Sequence, residues 1–317
     1  MIRSGYRGCL AGVPRWAAAP GLIALALAGY SVVQHGPSAQ VLHSTGQNIA
    51  ASYDGWEENS DGTFNLVFGY FNRNWDEEFD IPVGPANNVE PGGPDQGQPT
   101  HFYPRRNRFV FRIKVPKDFG TKEIVWTLTS NGKTERAYAT LRPEYITDPQ
   151  LQQFDVGDFG HTNNRERMNQ APVVSVEGDT RRTAKVGEPL TLTAMASDDG
   201  IPRPRPAPKG NWNIPPGRQP ALGLRVAWLV HRGPASDVTF DPEQAKAYPD
   251  YRPNMNSWWT PGWTPPPLPP DGKFPVKVTF RSPGTYVIRV MAHDGGLQRT
   301  QDVTVTVSGA GRQVSVR

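Results

Sequence analysis

FVFRIKV, residues 109–115, is the stretch on which the reading of the fold turns. In an extended chain Phe109, Phe111, Ile113 and Val115 fall on one side and Arg112 and Lys114 on the other, because successive side chains of a strand alternate faces. One apolar face and one wet face suit an antiparallel sheet packed as half of a sandwich. The same two-residue period continues around it. Residues 48–53, 63–71 (TFNLVFGYF), 123–129 (EIVWTLT) and 136–141 read as further strands. The last two flank Ser130, Asn131, Gly132 and Lys133, and an Asn-Gly pair between alternating runs predicts a tight hairpin. No stretch from Gln47 onward keeps helical spacing over three turns.

Composition points the same way. The chain has 317 residues, with 33 Pro and 32 Gly, an excess that lacks the strict period of collagen and implies many turns and loops. Hydrophobic residues make up 37% and aromatics 10%, enough for cores, and the length suits about two domains. The formal charge of +4 is inflated by Arg3, Arg7 and Arg15, which lie in a stretch of 39 residues without an acid. The remainder is near neutral, so charge gives no case for a nucleic acid partner or an anionic membrane.

Residues 21–33 (GLIALALAGYSVV) form an apolar run behind those arginines, followed by small and polar residues around Gly36, Ser38 and Ala39. That order is a secretory signal over 1–39, or else an uncleaved signal anchor, and the run is short for a bilayer span. The expectation is an exported protein, periplasmic, cell-surface or extracellular, touching a membrane only through an uncleaved N-terminal segment. The only cysteine, Cys9, precedes the apolar run, so the chain beyond residue 40 relies on sheet pairing and burial, not disulfides.

The second half runs APVVSVEG, VGEPLTLTAMASDDG, LGLRVAWLVHRG, VKVTFRSPGTYVIRVMAHDGG and QDVTVTVSG. Ala196, Ser197 and Asp198 end one strand, Trp228 is central in the next, Pro283, Gly284, Thr285 and Tyr286 form a turn, and Asp294 with Gly295 closes the following strand. This order resembles bacterial immunoglobulin-like modules of the polycystic kidney disease (PKD) type and their cadherin-like relatives. The resemblance covers residues 171–308 and implies a sandwich in which Trp228 packs between sheets and Tyr286 is a corner tyrosine. It implies little about function. In the first half, FGYFNRN, GGPDQGQPTHFYP and VPKDFG resemble a segment of secreted bacterial proteins without assigned activity, spanning residues 47–142.

The expected architecture is all-β: two antiparallel β-sandwich (immunoglobulin-like) domains in tandem with long Pro-rich loops. The boundaries are a signal over 1–39, an N-terminal sandwich over 47–142, a linker over 143–170, a second sandwich over 171–308 and a tail over 309–317. Two inserts, 199–221 and 242–275, interrupt the second sandwich, and 18 of the 33 prolines lie in 201–275. Runs such as PRPRPAPKG and TPPPLPPDG favour extended polyproline II and belong on the surface. Provided residues 237–240 form a strand, strand direction brings both inserts and the HDGG turn to one end of the sandwich, as binding loops are presented in variable domains.

No nucleophile elbow, zinc-protease or phosphate-loop motif occurs, and the six histidines show no ligand spacing. The candidate ligand-binding residues are therefore loop residues. Trp258, Trp259 and Trp263 lie among prolines in residues 254–271, either as a rigid aromatic platform or as a lid over the sheet. Asp95, Gln96, Gln98 and His101 lie in the 82–104 loop, read as structureless, and bind either a partner or the loop's own backbone. WDEEFD, residues 75–80, reads as a solvated turn. Asp198, Asp199 and Asp294 meet at the predicted loop end, where they either ligate calcium or cap turns.

The leading expectation is a non-catalytic binding or structural protein of the bacterial envelope, with no cofactor unless calcium, taking a carbohydrate or an envelope protein as partner. Two alternatives stand beside it: a carbohydrate-active or other hydrolytic enzyme with a carboxylate site, and a subunit of a homopolymeric surface assembly.

Overall fold

The computed structural model describes residues 43–153, 168–204, 222–252, 255–260 and 262–309. The expected signal segment, the middle of the expected linker, most of the first insert and the tail beyond Gly309 lie outside the described residues. The fold is all-β and built almost entirely of antiparallel sheets. Among the described residues no helix is long and apolar enough to cross a membrane.

The first sandwich sets the sheet β1 (Ile49–Glu58), β2 (Phe64–Asn72) and β6 (Arg105–Val115) against the sheet β4 (Asn87–Glu90), β7 (Ile124–Ser130) and β8 (Lys133–Ala139). Leu66, Phe68, Phe111, Ile113, Trp126 and Leu128 fill the space between them. The rings of Phe68 and Phe111 stack at 5.0 Å, and Trp126 meets Phe111 edge-on at 5.0 Å. The β7–β8 hairpin closes on Asn131 and Gly132, both with positive φ (45° and 72°), as its sequence predicts.

Two local readings are corrected. The 82–104 loop contains β4, paired to β7, and β5 (His101–Phe102), which pairs with β3 (Phe79–Asp80). These strands are too short for alternation to reveal them. Phe109 does not share the face of Phe111, Ile113 and Val115. The β2–β6 register slips between Phe68 and Tyr70, Phe109 takes φ 54°, and its ring turns outward against Val67 and Trp259. A bulge re-aims a side chain in this way. Gly69 permits it, since a Cβ there would lie 2.3 Å from Asp54 Oδ2 and 2.5 Å from the Asn107 carbonyl.

The second sandwich pairs β13 (Val238–Asp241), β14 (Lys273–Phe280), β11 (Leu190–Ser197) and β9 (Val173–Val176) in one sheet. The facing sheet is β10 (Arg181–Lys185), β16 (Gln298–Ser308), β15 (Gly284–His293) and β12 (Arg225–Arg232), with β10 parallel to β16. This is the strand order of an immunoglobulin-type sandwich. Trp228 is 3% exposed in the core, and the Tyr286 hydroxyl donates to the Ser282 carbonyl at 3.0 Å, the corner-tyrosine bond. Residues 238–241 are a strand, so the argument from strand direction holds: Gly223 N–H donates to the Asp294 carbonyl at 2.6 Å and Trp258 packs on His293 at 5.5 Å.

Candidate functional site

The two sandwiches meet along sheet edges. β12 borders its sheet, and an edge strand exposes backbone groups that must be paired or covered. Here the Val230 N–H donates to the Tyr103 hydroxyl at 2.8 Å, the Trp228 N–H to Gln244 Oε1 at 3.0 Å, and the His231 carbonyl accepts from Thr100 N–H at 3.1 Å. In return, Arg289 and Gln298 of the second sandwich donate to the Val110 and Arg108 carbonyls of β6. Each sandwich thus closes an edge of the other.

The 82–104 loop forms the first sandwich's side of this junction, which settles where its polar residues go. Asp95 takes a bidentate pair from Arg232, at 2.7 and 3.0 Å, which lowers the Asp95 pKa. Gln96 Nε2 donates to the Pro91 and Gly93 carbonyls at 2.9 and 3.0 Å, and Gln98 is fully buried with its amide bonded inside the loop. Asn87, missed in the sequence, is the hub: Nδ2 donates to the Ile81 and Pro99 carbonyls, and Oδ1 accepts from Trp126 Nε1 at 2.9 Å. The Gly97 carbonyl accepts from His231 Nε2 at 3.1 Å. Burial first, and then the nearby Arg289, push His231 down to about 3, so it is neutral and its Nε2 carries the proton.

The second insert crosses this junction as a strap. Arg252 pairs with Asp76 at 2.7 Å and with buried Asp250 at 2.9 Å, so WDEEFD anchors the strap instead of standing free in solvent. Trp259 lies half-buried on Val67 and Phe109 of the first sandwich. Trp258 is 1% exposed and Trp263 half-buried, so these three indoles form no continuous exposed platform.

Between strap and sandwiches lies a cavity of about 330 Å³. Tyr103 and Tyr248 line it with near-parallel rings 6.2 Å apart, and Phe109, Trp228 and Met291 extend the apolar wall. His101, the one residue of the 82–104 loop singled out in the sequence that reaches the cavity, is 3% exposed. Its Nδ1 donates to Asp80 at 2.8 Å, and Nε2 lies 3.2 Å from Glu78 Oε2 without hydrogen-bond alignment. Burial pulls the His101 pKa down, but the two carboxylates outweigh it and hold it above the ordinary histidine value. Glu243, the Lys246 ammonium and the Tyr248 hydroxyl also line the cavity. Among the described residues none of these three side-chain groups makes a hydrogen bond or ion pair; Lys246 only rests over the Tyr248 ring at 5.7 Å. The cavity thus offers aromatic faces beside uncommitted donors and acceptors.

The acidic residues of the loop end are engaged with the backbone. Asp198 accepts from Gly200 N–H at 2.9 Å and Asp199 from Ile201 N–H at 2.8 Å. Asp294 Oδ1 accepts from the Gly296 and Leu297 N–H groups, and Oδ2 from Asn169 Nδ2 at 3.1 Å. Burial chiefly pushes Asp294 up to about 7. Among the described residues no group of three or more His, Cys, Asp or Glu is placed to hold a metal ion.

No protein-family model matches the chain, and no curated protein matches it. Among solved structures, immunoglobulin domains 1–4 of Sidekick-1 align over 82% of this chain and 48% of theirs, at 12% identity and a TM-score of 0.23. The chain thus spans about half the length of that fragment. Domains 4 and 5 of the S-layer protein SbsC align over 83% of this chain and 98% of theirs, at 11% identity and a TM-score of 0.23. The fibronectin(III)-like modules of Clostridium thermocellum CbhA align over 88% and 96%, at 10% identity and a TM-score of 0.22. With scores at that level, the immunoglobulin-type assignment rests on the strand order and register above.

Proposed function

We propose that the protein is a non-catalytic, exported binding protein of the cell envelope whose recognition site is the cavity between its two sandwiches. Its ligand is a neutral, polyhydroxylated group, the end or a short stretch of a carbohydrate. The observation that carries this reading is the cavity wall itself: Tyr103 and Tyr248 rings beside an unpaired ammonium, an unpaired carboxylate and an uncommitted phenol. Ring faces suit the apolar faces of a sugar, and balanced donors and acceptors suit hydroxyls better than a net charge. A volume of about 330 Å³ accommodates one or two sugar rings. Export is supported by the basic, apolar and small-residue order of residues 1–39.

A glycan array probed with the purified protein and with Tyr248→Phe, Lys246→Met and Glu243→Gln tests this. The expected result is a narrow set of bound glycans, weakened by each substitution, with the bound sugar recovered intact. Absence of binding to every glycan refutes the reading. Cleavage of the bound sugar that stops in Glu78→Gln or Glu243→Gln replaces it with the hydrolase alternative, since both carboxylates line this cavity.

A further inference from the structure

Arg106, Arg112, Arg232, Arg252 and Arg289 each meet a carboxylate. Arg225, the first residue of β12, does not. It is 3% exposed, and none of Nε, Nη1 and Nη2 has a hydrogen-bond partner. Its guanidinium lies 5.3 Å from the Trp258 ring centroid and 5.9 Å from that of Trp263. Asp294 attracts it through space, but among the described residues no hydrogen bond joins the two. Both Asp294 oxygens are occupied by Gly296, Leu297 and Asn169, and His293 Nδ1 accepts the Gly295 N–H at 2.8 Å.

A buried guanidinium without acceptors is unfavourable, and interiors normally pair it or replace it with an apolar side chain. The rings supply no oxygen acceptor, so the fork of N–H groups that receives a planar carboxylate through two parallel bonds is left unused. Of the two ring walls Trp263 is the more exposed, half-buried where Trp258 is buried.

We propose that Arg225, enclosed by Trp258 and Trp263 at the loop end of the second sandwich, is the receptor for a carboxylate carried by a ligand. This site is separate from the cavity between the sandwiches and stands whether or not that cavity takes a sugar. The charge balance selects the class. With burial pushing the Asp294 carboxyl up to about 7 and keeping His293 neutral, Arg225 is the one constant charge here and matches a monoanion, whereas a doubly charged phosphate leaves a charge uncompensated. Uronic acids and peptide carboxylates share the required group.

The test follows melting temperature and tryptophan emission of the purified protein in sodium acetate, sodium glucuronate, N-acetylglycine and sodium phosphate, against sodium chloride at equal ionic strength. The wild type is expected to show a saturable response to the carboxylates. Tighter binding of glucuronate than of N-acetylglycine identifies an acidic sugar as the source, and the reverse order a peptide. Arg225→Met is expected to melt higher than wild type in chloride, because it removes an unpaired buried charge, and to lose the carboxylate response. Arg225→Lys, which keeps charge without the fork, and Trp263→Leu, which removes the more exposed wall, are expected to weaken the response while remaining folded by circular dichroism. The proposal is overturned if wild type responds to no carboxylate, if only phosphate produces a response, or if Arg225→Lys and Trp263→Leu respond like wild type.

Discussion

The hydroxyl of Tyr103, in the first sandwich, accepts the backbone N–H of Val230, in the second, at 2.8 Å. The same tyrosine's own N–H donates to the Tyr70 hydroxyl at 2.9 Å, so one residue links the first core to the edge of the second. Tyr103→Phe keeps the ring and leaves the Val230 N–H unpaired at the junction. Urea unfolding should show a loss of about 1–3 kcal/mol, the cost of an unsatisfied buried donor.

The Arg232–Asp95 pair joins the same two bodies, but Asp95 is 55% exposed at its side chain. Exposed pairs are screened, and the expected coupling in a double-mutant cycle of Arg232→Ala and Asp95→Ala is about 0.5–1 kcal/mol, shrinking as salt is added. Coupling that persists unchanged at high salt would show that the junction is drier than this geometry indicates.

His231 and His101 impose opposite pH dependences. His231 is depressed from 6.5 to about 3, so the unfolded chain binds its proton first; its contribution is complete above 6.5 and is lost as pH falls toward about 3. His101 is raised, so its contribution is complete below 6.5 and is lost as pH rises through its elevated value. Stability measured against pH should therefore fall less steeply below 6.5 in His231→Gln than in wild type. In His101→Gln the loss relative to wild type should be greater in acid than in alkali.

Gly69→Ala places a methyl 2.3 Å from Asp54 Oδ2 and 2.5 Å from the Asn107 carbonyl, at the bulge that turns Phe109 outward. Asp54 accepts the Phe109 N–H at 2.8 Å and pairs with Arg106, so it has nowhere to retreat. Thermal unfolding should report a destabilisation of about 2–3 kcal/mol.

Trp259 is an apolar contact of the strap with the first sandwich, beside the Tyr248–Tyr103 ring pair. Trp259→Ala should cost less than the about 3–5 kcal/mol of a fully buried tryptophan, yet limited proteolysis should cut residues 242–275 markedly sooner than in wild type. Unchanged cleavage would place the hold of the strap on its other contacts, the Arg252–Asp76 pair and the Tyr248–Tyr103 ring pair.

Strand alternation from Phe111 to Val115, the Asn131-Gly132 turn and the convergence of the inserts with the HDGG turn were legible in the residues, because each depends on neighbours a few residues apart or on strand direction, and the corner Tyr286 was legible through the resemblance to immunoglobulin-like modules. The destinations of the loop side chains were not. Asp95 finds Arg232 across 137 residues and Gly97 finds His231 across 134, and such partners exist only once two sheet edges meet. Phe109 reverses its face because a single slip of register at Gly69 overrides a perfect alternation. Local physics determined which segments are strands. Tertiary structure alone decided that the strap closes a cavity and that Arg225 is buried without a partner, since both follow from the long-range contacts that fill or leave empty the space between elements.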